Sequence, residues 1–214
     1  LSLHDALPIL EHIVYVVDDD DAVRQSVIGL LDSAGLNAIG FSSAEAFLQY
    51  RFEDLPSCVI LDMQMPAISG FEVADALKES GREIPIIFLT GHGTIPMSVR
   101  AIKGGAYEFL TKPVESNALI DAIESALQLA ENNAERNKEH YALKQRHMSL
   151  TPREHEVLTL AISGMLNKQI AAELGVSEIT VKVHRRRVME KMQVRSVAEL
   201  VRAVERLTKS QPAE

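Results

Sequence analysis

The run Cys58-Val59-Ile60-Leu61-Asp62 sets four apolar residues directly before one carboxylate, and Met63-Gln64-Met65-Pro66 follows it. Four unbroken apolar residues describe a strand covered on both faces, as strands of parallel sheets are. The same form recurs on both sides of it. His12 to Val17 is a β-branched run ending in Asp18-Asp19-Asp20-Asp21, Leu36 to Phe41 is a short strand, Ile84 to Leu89 ends at Thr90, and Tyr107 to Leu110 precedes Lys112-Pro113. Helical patterns fill the gaps. Ala22 to Ala34 places Val23, Val27, Leu30 and Leu31 on one face and stops at Gly35; Ser42-Ser43-Ala44-Glu45 opens a helix with Ala46, Phe47 and Tyr50; Phe71 to Ser80 stops at Gly81. Pro96 to Lys103 and Asn117 to about Leu129 complete the set. Five strand–helix units in about 115 residues predict an α/β, flavodoxin-like doubly wound parallel sheet with strand order 2-1-3-4-5.

That topology gathers distant residues. Ligands of such sheets bind beyond the carboxyl ends of the strands, at the switch in strand order. Asp18, Asp19 and Asp20 follow the first strand, Asp62 ends the third, Thr90 ends the fourth and Lys112 follows the fifth. All are expected at one rim, although Asp18 and Lys112 are 94 positions apart. Taken singly, Asp18 to Asp21 also read as a solvated turn capping a helix, and Lys112-Pro113 as a surface turn. Several carboxylates in one pocket repel each other, and a hard divalent cation such as Mg²⁺ removes that cost. A carboxylate beside Mg²⁺, faced by a Lys and a hydroxyl, suits phosphoryl transfer.

The charge is divided along the chain. Residues 1–125 carry 7 Lys and Arg against 19 Asp and Glu, whereas residues 126–214 carry 15 against 11. An acidic half and a basic half point to different partners, the basic one fitting nucleic acid. No apolar run is long enough to span a bilayer, and the only cysteine, Cys58, reads as a core thiol in a reducing, cytoplasmic compartment. Residues 1–11 read as a non-native or disordered leader, residues 12–125 as the α/β domain, and residues 126–148 as an exposed helical linker, with a disordered tether as the competing reading. Residues 149–214 hold four helical patterns and no strand. Thr151-Pro152 starts one helix, Asn167 opens a second carrying Ile170, Ala171 and Leu174, and Gly175-Val176-Ser177 turns into a third. On that third helix Val181, His184, Val188 and Met192 form an apolar stripe, where His184 is expected as a satisfied core histidine. Lys182, Arg185, Arg186 and Arg187 face the other way.

Val16-Val17-Asp18-Asp19-Asp20, Leu61 to Pro66 with Ser69-Gly70, Thr90-Gly91-His92-Gly93 and Lys112-Pro113 resemble the receiver domains of two-component response regulators over about residues 12–130. The resemblance implies Asp62 as phospho-acceptor. It implies Mg²⁺ (or Mn²⁺) on Asp18, Asp19, Asp62 and the Gln64 carbonyl, with Asp18 acting through water. Thr90 and Lys112 would bind the phosphoryl group, and Phe109 would be a switch aromatic. Val114 departs from the Phe that many relatives carry after Lys-Pro. Gln64 and His92 are placed to affect the water that hydrolyses the acyl phosphate. Residues 149–214 resemble the LuxR-type helix-turn-helix of FixJ/NarL-like regulators. That resemblance implies base-edge contacts from Lys182, Val183 and Arg186, and backbone contacts from Thr180, Arg185, Asn167 and Lys168. Helix 197–207 would carry a dimer contact.

The expected function is a phosphorylation-dependent, DNA-binding transcriptional regulator, an activator by analogy. Its implied partners are a sensor histidine kinase, a double-stranded DNA operator, RNA polymerase and a second copy of itself on phosphorylation. Two rival readings stand beside it. One is an aspartate-nucleophile phosphatase, which would want a second acid where Gln64 sits and a substrate cap for which the chain has no room. The other is a phospho-switch adaptor acting only through protein contacts, against which the recognition-helix pattern argues.

Overall fold

The computed structural model describes residues 12–91 and 93–209; the expected leader, residues 1–11, lies outside them, as does His92. The first domain is a five-stranded, all-parallel sheet in the order β2-β1-β3-β4-β5, the predicted order. Its strands are β1 (Ile13–Val17), β2 (Ala38–Phe41), β3 (Ser57–Leu61), β4 (Ile86–Thr90) and β5 (Glu108–Thr111). The helices between them are α1 (Asp21–Ser33), α2 (Ala44–Leu48), α3 (Gly70–Glu79) and α4 (Ile95–Lys103), and α5 (Ser116–Met148) follows β5.

Alternation along each strand sorts the core into two layers. Ile13, Tyr15, Val17, Val59, Leu61 and Phe88 pack with Phe47 of α2, Val73 and Leu77 of α3 and Ala101 of α4. Val14, Val16, Cys58, Ile60, Ile87 and Leu89 pack with Val27 and Leu31 of α1 and Leu119, Ile123, Ala126 and Leu127 of α5. The apolar strand runs therefore have the expected cause, a covered face on each side. Tyr15 sits among Phe41, Phe47, Tyr50 and Phe52, with ring centroids 5.2–6.2 Å away and tilted or edge-on, the arrangement aromatic quadrupoles favour.

Several element ends differ from expectation. β2 starts at Ala38 and not Leu36, and β4 at Ile86 and not Ile84. β5 lies one residue later than expected, at Glu108–Thr111. Apolar residues on a loop running into a sheet look the same in sequence as those within it. α2 is only five residues long and ends before Tyr50, whose ring packs in the aromatic group. α5 runs unbroken for 33 residues through the stretch expected to be a helical linker.

The chain divides into two compact units between Ala134 and Glu135. The second contains α6 (Pro152–Ile162), α7 (Asn167–Leu174), α8 (Glu178–Met192) and α9 (Val197–Lys209). α6 is its hub: Leu158 packs with Val188, Met192 and Leu200, while Val157 and Ala161 pack with Ile170, Ala171 and Val181. A capping box starts α6, with Thr151 accepting from the Glu154 backbone and Glu154 accepting from the Thr151 backbone. The Glu154 side chain is buried and also accepts a hydrogen bond from Lys191 Nζ at 2.6 Å, tying α6 to α8. No helix among the described residues is long and apolar enough to cross a membrane.

Candidate functional site

The strand ends meet as the topology requires. Asp18 follows β1, Asp62 follows β3, Thr90 ends β4 and Lys112 follows β5; Asp18, Asp62 and Thr90 are buried. Lys112 Nζ donates to Asp18 Oδ2 at 2.7 Å and to Asp62 Oδ2 at 2.9 Å, bridging residues 94 and 50 positions away. The remaining carboxylate oxygens are held by the backbone: Asp20 N donates to Asp18 Oδ1 at 3.0 Å and Gln64 N to Asp62 Oδ1 at 3.1 Å. Burial raises the Asp18 carboxyl above the ordinary aspartate value, against the pull of Lys112. Burial alone would lower Lys112, but its hydrogen bonds to the two aspartates and their charges outweigh that and raise it.

Asp19 is exposed at the mouth of this pocket, and one carboxylate oxygen from each of Asp18, Asp19 and Asp62 lies within 4.8 Å of the others. An all-oxygen set of this charge fits a hard divalent cation. Asp20, which the strand-end argument also sent to the rim, is spent elsewhere: its carboxylate caps α1, accepting from Ala22 N at 2.9 Å and Val23 N at 3.2 Å. Asp21 pairs with Arg24. Arg24 also donates to the Asp18 carbonyl at 2.7 Å, fixing the chain where it leaves β1, a contact the sequence reading did not foresee.

Two glycines shape the pocket. The first residue of α3, Gly70, passes so close to the loop after β3 that a Cβ there would stand 2.5 Å from the Asp62 carbonyl oxygen and 3.0 Å from Met63 Cα. A Cβ on Gly93 would meet Thr111 Cγ2 at 2.7 Å and Phe109 Cε1 at 3.0 Å, so the half-buried Phe109 ring lies against the β4–α4 loop. The Gln64 side chain is exposed and Val114 packs into the α1/α5 core layer.

In the second unit, Ser177 caps α8, accepting from Thr180 N at 3.1 Å, and its hydroxyl also bonds the Thr180 hydroxyl at 2.8 Å. Lys168, Lys182, Val183, Arg186 and Arg187 are exposed. Two of these are paired one turn away, Lys182 with Glu178 at 3.6 Å and Arg186 with Glu190, to which its Nε donates at 2.7 Å. Arg185 and Asn167, both expected as contacts to the DNA backbone, are half-buried and joined to each other: Arg185 NH1 donates to Asn167 Oδ1 at 2.6 Å, fastening α8 to the start of α7. His184 is not the satisfied core histidine expected, for its buried Nδ1 has no hydrogen-bond partner among the described residues.

Comparison with known proteins agrees with both halves. Residues 14–124 match the response regulator receiver domain, and residues 148–204 match the LuxR family of bacterial regulatory proteins. The chain is a two-component response regulator of the FixJ/NarL type. It is 48% identical over 200 residues to the response regulator protein TmoT of Ectopseudomonas mendocina, covering 94% of this chain and 91% of that one. It is 42% identical over 193 residues to the transcriptional regulatory protein FixJ of Bradyrhizobium diazoefficiens, covering 88% and 92%. Among solved structures, the response regulator StyR superposes with a TM-score of 0.82 at 49% identity, over 91% of this chain and 98% of that one. TmoT and StyR are response regulators by name and FixJ a transcriptional regulator, and the phosphatase reading falls with membership of that family. A receiver joined to a LuxR-type domain makes this regulator a DNA-binding one, with a sensor kinase and DNA as its partners.

Proposed function

We propose that this regulator is switched by phosphorylation of Asp62 and then activates transcription from a two-fold operator. The observation that carries the proposal is the Lys112 bridge to Asp18 and Asp62, which sets one cation against two buried carboxylates at the rim of the sheet. Asp18, Asp19, Asp62 and the Gln64 carbonyl would hold Mg²⁺ (or Mn²⁺), which when bound neutralises charge on the phosphoryl oxygens. An Asp62 oxygen forms the bond to phosphorus as the P–N bond of the kinase phosphohistidine breaks. Lys112 exchanges its contact with Asp62 for a phosphoryl oxygen, and the Thr90 hydroxyl binds another. Thr90 ends β4 beside Thr111 in the sheet register, and Phe109 lies two residues before Thr111, so a movement of Thr90 is passed to the Phe109 ring.

The phosphorylated domain then dimerises and delivers two helix-turn-helix units, α9 supplying a dimer contact on DNA, in a compartment where DNA and RNA polymerase are both present. Lys182, Val183 and Arg186 reach base edges, while Lys168, Thr180, Asn167 and Arg185 meet the phosphates, the last two as a linked pair. Labelled acetyl phosphate tests the chemistry. The parent is expected to take up label with added Mg²⁺ and to bind operator DNA more tightly afterwards. Asp62→Asn should do neither. Equal labelling of the variant would sink the proposal.

A further inference from the structure

We propose that Ile179 is a specificity-determining residue that packs on the 5-methyl group of a thymine in the major groove. The inference rests on reading α8 as the recognition helix. Ile179 is the second residue of α8 and is 74% exposed, the most exposed large hydrophobic of the second unit's described residues. Nothing in the packing among the described residues calls for an isoleucine there. It is absent from both core clusters of its unit, and a β-branched residue gains little in the first turn of a helix. Val183, 45% exposed, lies four residues on and therefore on the same face one turn further along.

The neighbouring side chains select the occupant. Lys182 and Arg186, whose side chains are 63% and 82% exposed, share this side of α8 with the two apolar residues. An apolar strip beside exposed cations, each paired only with a glutamate of its own helix, matches a surface with anions at its rim and an apolar group at its floor. The match of residues 148–204 to the LuxR family makes DNA the occupant, and the major groove has this pairing: phosphates line its walls, and thymine presents the one methyl group among the four base edges. The N-terminal residues of a helix docked in that groove are the ones that reach base edges, and Ile179 stands there. Lys182 and Arg186 would read acceptor atoms while Ile179 and Val183 read methyl groups, giving the operator adjacent guanine and thymine preferences.

The test uses the full-length chain, phosphorylated with acetyl phosphate, and duplexes enriched from a random pool. Each thymine of the parent's preferred duplex is replaced in turn by deoxyuridine, which removes only the methyl. The parent is expected to lose about fourfold in affinity at a thymine read by Ile179, the scale of one methyl withdrawn from an apolar contact. Ile179→Ala and Ile179→Ser should lose the preference for thymine there and become indifferent to the uracil replacement. Their salt dependence should stay that of the parent, because no phosphate contact is removed. Variants that keep the parent's base preference and uracil sensitivity at every position overturn the inference. A parent that enriches no sequence overturns the reading of α8 as well, which is a distinct result.

Discussion

Replacing Gly70 with Ala probes the acidic pocket without touching a charged group. The added Cβ would lie 2.5 Å from the Asp62 carbonyl oxygen, where ordinary contact begins at 3.4 Å, so about 0.9 Å must be found. The opposing atoms are backbone and cannot swing aside as a side-chain tip can. Phe88 Cε1, at 3.1 Å, closes the other direction from within the core. Either the Asp62–Met63 peptide moves or α3 tilts away and breaks the Gly70 N–Met63 O hydrogen bond of 3.1 Å. Overpacking of this kind costs about 1–3 kcal/mol. A displacement approaching 1 Å at a reacting carboxylate lowers a phosphoryl-transfer rate by up to roughly 100-fold. The assay is the rate of labelling by acetyl phosphate, with the urea midpoint measured beside it. Gly29→Ala is the control. Gly29 lies inside α1 with nothing within 4 Å of its virtual Cβ, so alanine there should stabilise the domain by about 0.5–1 kcal/mol and leave labelling unchanged. A Gly70→Ala protein that labels and unfolds like its parent would refute the claim that this glycine sets the position of Asp62.

Three further outcomes are expected. Gly93→Ala should push the Phe109 ring off the β4–α4 loop and lower stability by about 1 kcal/mol, less than at Gly70 because side chains and not backbone must yield; unmoved Phe109 ring resonances would contradict this. The hydrogen bonds from Lys191 and the Thr151 backbone hold the Glu154 carboxyl below the ordinary glutamate value. A depressed folded value means that its stabilisation of the second unit is complete above the unfolded glutamate value and is lost as the pH falls through the folded one. Lys191→Met should cost about 2 kcal/mol at neutral pH by stranding a buried carboxylate, and should flatten the acid limb of that unit's urea midpoint; an unchanged limb would remove the pair from the account. Burial pushes the Cys58 thiol up to about 12, so it should resist iodoacetamide at neutral pH until the first domain unfolds; rapid alkylation of native protein would show that core to be open.

What could be read from the sequence and what could not differ in physical kind. Apolar runs closed by polar residues mark the number of strands, the doubly wound fold type supplies their order, and in a parallel sheet the ends of strands share one edge whatever lies between them. Asp18, Asp62, Thr90 and Lys112 were therefore placed together by topology alone. The apolar stripe of α8 was legible for the same reason, since helical period fixes which residues share a face. Contacts that depend on the angle between elements or on the local backbone path were not. Arg185 and Asn167 are 18 residues apart on two helices, and only the crossing of α7 and α8 turns them toward one another. His184 shows the opposite failure: its position on the stripe was right, but a face assignment says nothing about whether a ring nitrogen finds a partner.

The four consecutive aspartates show where the boundary runs. Asp18 to Asp21 are identical in sequence, yet they have four fates: a buried carboxylate of the pocket, an exposed one at its mouth, a helix cap and a partner of Arg24. The start of α1 at Asp21, one residue before the expected Ala22, makes Asp20 the N-cap and commits its oxygens to the amides of Ala22 and Val23. Asp18 keeps one oxygen for the pocket because the Asp20 amide takes the other. The amides therefore decide which carboxylates remain available to a cation. Were α1 to start one residue earlier, Asp19 would become the N-cap, its oxygens would be committed to helix amides, and the pocket would lose one of its three carboxylates.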